Sequence, residues 1–134
     1  MGFTTTYANT ILTNLFSGAY IALTTSAPTA TTTGSGLAEP PADAGYARSA
    51  ANTGSFKADA RKITNKAYIY FPEATKSWGK IQYMCVVSTG ERGTGALNYF
   101  GQITNPSGEI GVDVGPNTVP LFKPNTINIS LDAD

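Results

Sequence analysis

The acidic side chains are the first place to look for chemistry. The 134 residues carry nine Asp and Glu, nine Lys and Arg, and no histidine. Glycoside hydrolysis needs two carboxylates held at a fixed separation. Glu39 and Asp43 share one long polar loop, and Asp113 lies between Val112 and Val114, where alternation turns it outward. No acidic pair has a recognisable catalytic context. Without histidine the commonest general base and the commonest metal ligand are missing. A calcium site built from Asp132, Asp134 and loop carbonyls is the one metal arrangement of the right residue type, and nothing else in the sequence supports it. The stretch Ser88–Gly95 holds three glycines but lacks the phosphate-loop pattern, and no helix follows it. The single Cys85 sits in an apolar run, so it reads as a small buried side chain rather than a reactive thiol, and it cannot form an intrachain disulfide. The expectation is a protein without catalytic residues, cofactor or metal.

Two other groups invite a functional reading. Tyr46 and Arg48 share one face of a strand. An arginine on a half-buried strand usually pairs with a carboxylate, and Glu39, Asp43 and Glu73 are the candidates; ligand contact is the alternative. Trp78 is the only tryptophan and Gly79 follows it. Such a pair closes a sheet corner, the ring covering backbone that has no side chain, unless the ring is an exposed platform for a sugar or a base.

The elements that must position these residues are mostly strands. Phe71–Val87 is the centre of the pattern. The run Ala67–Phe71 stops at Pro72, which has no N–H to give to a ladder. After a short turn, Lys80–Val87 alternates, with Ile81, Tyr83 and Cys85 expected on one face, and ends in a doubly apolar Val86-Val87. The two runs suit a hairpin or an arch. Upstream, residues 4–18 read as the one helix, capped by Thr5 or Thr6 and ended by Gly18. Tyr7, Ile11 and Leu15, with Ala8, Leu12 and Phe16, make its apolar stripe. The first strand is Tyr20–Thr25. Residues 26–45 form a long polar surface loop with Leu37 as its apolar anchor, either reaching over a partner or flexible. Residues 52–62 look irregular, with Phe56 tucked in. Downstream, Ala96–Ile103, Glu109–Val114, Thr118–Phe122 with an edge-marking Pro120, and Thr126–Asp132 are strands separated by Gly, Pro and Asn turns. The expected fold is all-β: a single antiparallel β-sandwich domain over 1–134, with one short N-terminal helix.

Composition agrees. Only 13% of residues are charged, about half the usual share, and formal net charge is zero. There is no electrostatic case for nucleic acid or an anionic membrane surface. Met1–Thr6 lacks the basic and apolar regions of a signal peptide, and no apolar run approaches a membrane span. So little charge gives poor colloidal protection to a free monomer and favours a chain that works inside an assembly. The candidate interface is the N-terminal arm and helix, with Phe3, Tyr7, Ile11 and Leu15, together with Leu37 of the long loop. Tyr46, Arg48, Phe71, Pro72, Trp78 and Gly79 are the candidate structural residues.

The order of these features resembles a family of small bacteriophage virion proteins described as phage tail-fibre proteins, the mycobacteriophage gp80-like group. The pattern is a short helix, then Ala19–Pro28, Gly45-Tyr46-Ala47-Arg48, Asn65–Ala74 with its Phe71-Pro72-Glu73-Ala74, Trp78-Gly79-Lys80-Ile81, a Gly-rich turn and two later strands. It covers most of the chain. The threonine-rich loop 26–45 and the Glu91-Arg92 pair depart from it. The resemblance implies a β-sandwich structural part of a virion, made in the bacterial host cytoplasm, with other phage virion proteins as partners and no catalytic residues. No coiled coil or fibrous repeat provides a shaft. Capsid decoration is the leaning, as part of a homo-oligomer; a tail-fibre or tail-adaptor module, or a carbohydrate- or receptor-binding module, is the alternative.

Overall fold

A computed structural model describes residues 4–51, 53–104 and 107–131; Phe3 and the acidic pair Asp132 and Asp134 lie outside them. The chain is an all-β sandwich with one short N-terminal helix. Helix α1 spans Thr5–Leu15, and its cap is Thr4, one residue earlier than expected, whose hydroxyl accepts from the Tyr7 N–H. Gly18, at φ 65°, closes the turn into β1 (Ala19–Thr24). Strand β2 is Ser49–Ala51, β3 is Phe56–Asp59, β4 is Lys62–Asn65 and β5 is Ile69–Tyr70. Then come β6 (Gly79–Ile81), β7 (Tyr83–Val87), β8 (Leu97–Gln102), β9 (Val112–Val114), β10 (Leu121–Phe122) and β11 (Asn128–Ser130).

The largest sheet has the order β2-β1-β7-β8, all antiparallel. Opposite it lie β11-β4-β3 with helix α1, and the two-stranded ribbons β5-β10 and β6-β9. Ile21 and Leu23 of β1 pair with Val86 and Met84 of β7, so one sheet face feeds the main core. There they meet Leu12 and Phe16 of α1, Phe56, Ile63, Phe71, Trp78, Ile127 and Ile129. Phe16 stacks on Phe56 with centroids 3.9 Å apart. The opposite face carries Ala22, Cys85 and Val87, covered by Tyr20, Leu37, Leu97 and Phe100. Both faces of β7 are therefore buried, as its apolar end predicts.

Several expectations change. The run 80–87 is not one strand. Its backbone passes between sheets at Gln82, whose N–H bonds Thr24 and whose carbonyl accepts from Ile103, while Gly111 donates to Ile103. The extra residue inverts the alternation: Ile81, Met84 and Val86 face the main core, Cys85 faces the other side, and Tyr83 is not aligned with Ile81. Nor do the two runs flanking Pro72 form a hairpin. β5 pairs with β10, and β6 pairs with β9, so the connection is an arch. Of the stretch 52–62 read as irregular, the described residues 53–62 are ordered into elements: β3 and β4 form a hairpin across Ala60-Arg61, both at positive φ. Such a turn usually advertises itself by Gly or Asn, and here neither is present; Asn9 of the helix accepts from the Arg61 N–H instead. The helix stripe also splits. Ala8, Leu12 and Phe16 are buried, Ile11 and Leu15 are half-buried, and Tyr7 is 55% exposed.

Asn65 is fully buried and was not singled out by pattern. Its side-chain amide donates to the carbonyls of Ala67 and Lys123, and its Oδ1 accepts from the N–H groups of Thr126 and Ile127. It thereby satisfies the turn that feeds β11. Asn65→Ala is expected to destabilise the fold by about 2–4 kcal/mol, because several buried backbone groups lose their partner at once; urea unfolding measures it, and a change under 1 kcal/mol would contradict the role. Burial also pushes the Cys85 thiol up to about 12. A thiol-reactive dye is therefore expected to leave the native protein unmodified at pH 8 and to react fully in denaturant.

Candidate functional site

Glu39 sits in the long loop between β1 and β2, and Arg48 just precedes β2. Their side chains are fully enclosed and form an ion pair, Arg48 Nε to Glu39 Oε1 at 2.8 Å and Nη2 to Oε2 at 2.9 Å. The remaining guanidinium hydrogens reach the carbonyls of Thr89, Thr94 and Gly34 at 3.0, 2.9 and 3.4 Å. All five donors of the fork thus have acceptors. Glu39 is equally complete. Oε1 also accepts from the Tyr46 hydroxyl at 2.7 Å, and Oε2 from the Gly93 N–H at 3.2 Å. Tyr46 in turn accepts from the Leu23 N–H at 3.1 Å. That amide lies beyond the end of β2 pairing at Ile21, so the phenol takes the place of a missing strand.

This network ties together β1, the loop 26–45 and the loop 88–95. Arg92 adds bonds to the Pro40 and Glu39 carbonyls, and the Gly34 N–H donates to Gly95. A Cβ at Gly34 would lie 2.0 Å from the Thr94 carbonyl oxygen, so only glycine allows this approach. The loop is thus held by a charge, not by Leu37 alone, and it folds over its own sheet. The glycine-rich tip 88–95 is stitched to it.

Electrostatics follow from the geometry. Burial pushes the Glu39 carboxyl up, but hydrogen bonds from Arg48 and Tyr46 and the Arg48 charge outweigh it and hold it below the ordinary carboxylate range. Burial and the adjacent carboxylate push the Tyr46 phenol far above its usual value. Burial pulls Arg48 down, yet its bonds to Glu39 raise it on balance. A carboxylate with every lone pair occupied is not placed to act as a base.

The sequence-predicted residues fall into three groups. Tyr46, Arg48, Phe71 and Trp78 are buried, Pro72 and Gly79 are exposed, and Gly79 takes φ 79°. Trp78 is a core plug. Its indole N–H donates to the Ala44 carbonyl at 2.8 Å and its ring meets Tyr46 edge-on at 5.3 Å, so it offers no stacking platform. Leu37 is half-buried on the cluster of Ala22, Cys85 and Val87. Tyr7 points outward, and Ile11 and Leu15 line a groove of about 560 Å³ with Tyr99, Ile129 and Leu131. Among the described residues, no three of His, Cys, Asp and Glu converge as a metal site would require, and no helix is long and apolar enough to cross a membrane. The closer partners of Arg48 in loop 88–95 are the backbone carbonyls of Thr89 and Thr94, which carry no residue-type signal; the Thr89 hydroxyl lies farther, at 3.4 Å.

The result is a small all-β structural module whose buried charges bind its own loops. The family model described as podophage GP4 fiber I protein gp80 matches residues 2–115 of the 134, and the chain belongs to that family of phage fibre proteins. It is a structural phage protein, and its family points to association with other virion components. No curated protein matches the chain.

Removing one partner of a buried pair leaves the other uncompensated. Arg48→Ala is expected to cost about 3–5 kcal/mol. Lys76→Ala, which breaks the solvent-exposed Lys76–Asp43 contact at 3.4 Å, should cost less than about 1 kcal/mol. Glu39 has its lowered value only in the fold. Its contribution is thus present above the ordinary carboxylate range and lost as pH falls through the folded value. Denaturant titrations from pH 6 to pH 2 should show that loss in the wild type and a shallower one in Glu39→Gln; equal slopes would contradict the assignment.

Proposed function

We propose that the chain is a non-enzymatic part of a phage fibre apparatus, a compact adaptor-like module present in several copies. The family match across residues 2–115 carries this reading. The fold supports it. A compact sandwich with short strands provides a rigid body rather than a shaft, and the buried carboxylate that could have served chemistry is consumed by structural bonds. The exposed Tyr7 and the half-buried Ile11 and Leu15 of α1 would meet neighbouring subunits, and Phe3 is a further candidate for that contact. The low charge of the chain fits a life spent inside an assembly. The protein would reside in the virion after synthesis in the host cytoplasm.

Capsid decoration is the second reading. What favours it is the same compactness: a 134-residue chain without a fibrous repeat suits a lattice-bound cement as well as a fibre base. Immunogold labelling of purified virions separates the two. Label confined to the tail or fibre base is the expected result. Label spread over the head would replace the fibre reading with decoration, and unlabelled virions whose mass spectra lack the protein would overturn both.

A further inference from the structure

Strand β8 ends the four-stranded sheet, and β11 ends the sheet that faces it. The 560 Å³ groove lies at this mouth of the sandwich, lined by residues of α1, β8 and β11. Ile11 and Leu15 of α1, Tyr99 of β8, and Ile129 and Leu131 make it apolar, and none of its lining residues is charged. β8 itself, Leu97-Asn98-Tyr99-Phe100-Gly101-Gln102, has neither charge nor proline, and α1 has no charge either. Edge strands in monomeric proteins are commonly guarded by lysine, proline, a bulge that twists the edge away, or a covering segment. β8 bears one irregularity, between Val86 and Val87 of its partner strand, and the four pairs from Tyr83–Gln102 to Val86–Tyr99 are in continuous register.

The outward-facing groups can be assigned from the ladder. The Ile103 N–H bonds Gln82 across the sheet. In an antiparallel ladder the bonding direction alternates along the strand. Gly101 and Tyr99 therefore point toward β7, and the N–H and C=O groups of Phe100 and Gln102 point away from it. β8 is about 20 Å long and sheet layers sit about 10 Å apart, and α1 adds about another 10 Å of width. The face is thus on the order of 400 Å², about half of the roughly 800 Å² per partner of a stable interface, so the association it supports is weak and depends on concentration.

We infer that this face is where a second copy of the chain docks, by antiparallel pairing of β8 with β8 and closure of the two grooves against each other. Neutrality selects the occupant. A face without charge offers no complement to a charged partner, and two copies of it meet without repulsion. Most soluble oligomers are symmetric assemblies of one chain, and a two-fold interface uses the same patch on both copies. The inference rests on the several-copies part of the reading above and names its surface.

The test is analytical ultracentrifugation of the full chain over a hundredfold range of concentration, with amide hydrogen exchange on the same samples. Asn98→Lys and Gln102→Lys alter exposed side chains on the edge, so the monomer fold should survive; circular dichroism verifies it. The expected result is a wild-type dimer with slow exchange at Phe100 and Gln102. In the double variant the dissociation constant should rise at least tenfold, as like charges face each other across the pair, and those two amides should exchange quickly. A wild type that stays monomeric, or a variant that dimerises as tightly as the wild type, overturns the inference. Cross-links from β8 to a different virion protein overturn it too. Virion labelling stands apart: a monomer found at the fibre base refutes the β8 interface and leaves the fibre reading intact, whereas a β8 dimer absent from virions does the reverse.

Discussion

The fold depends on one buried ion pair. Glu39 and Arg48 lie in a part of the molecule where two long loops have no ladder to hold them, and the eight hydrogen bonds of their side chains replace one. Burying a charge pair in place of apolar side chains is often neutral or unfavourable in net stability. Its value here lies in directionality. A guanidinium that must find five acceptors accepts one arrangement of loop carbonyls, where an apolar plug would tolerate many. Loop 26–45 holds the pair in place, covers the second face of the main sheet through Leu37, and presents Ala44 to the Trp78 indole. The two layers of the sandwich are therefore linked through the loop as well as through the core.

The second constraint is the change of sheet at Gln82. One extended segment serves two sheets because a single residue inverts the side-chain order and hands the ladder from β8 to β9. That device keeps Ile81 and Met84 in the same core although they are three residues apart. The ribbon β6-β9 is only two strands wide, and the large sheet ends at β8. An open edge over an apolar groove is costly in a free monomer and useful in a part built to be repeated.

The structural side of the candidate site was largely legible from residue types. An arginine two residues from a tyrosine, expected on a strand that in fact starts only at Ser49, called for a carboxylate, and Glu39 was among three candidates. A lone tryptophan next to glycine called for a core plug, and Trp78 is one. The rest of the network was not legible. Backbone carbonyls of Thr89, Thr94 and Gly34 have no residue-type signature, and they come from positions 14 to 46 residues away from Arg48. Asn65 was silent for the same reason, since its four partners are all main-chain groups.

By itself the sequence determined the all-β class, the N-terminal helix, and several strands bounded by Pro, Gly and Asn, though not β3, β4 or the break between β6 and β7. Those follow from local periodicity and turn chemistry, which act within a few residues. Its order of motifs also carried the family. Tertiary structure alone decided which strands pair, that the Pro72 connection is an arch, that the helix buries Ala8, Leu12 and Phe16 while turning Tyr7 outward, and that Glu39 rather than Asp43 or Glu73 meets Arg48. Each of those outcomes is a competition between distant segments for one surface or one set of donors. Such a competition is settled by packing and by the demand that every buried polar group find a partner, which no short window of residues contains.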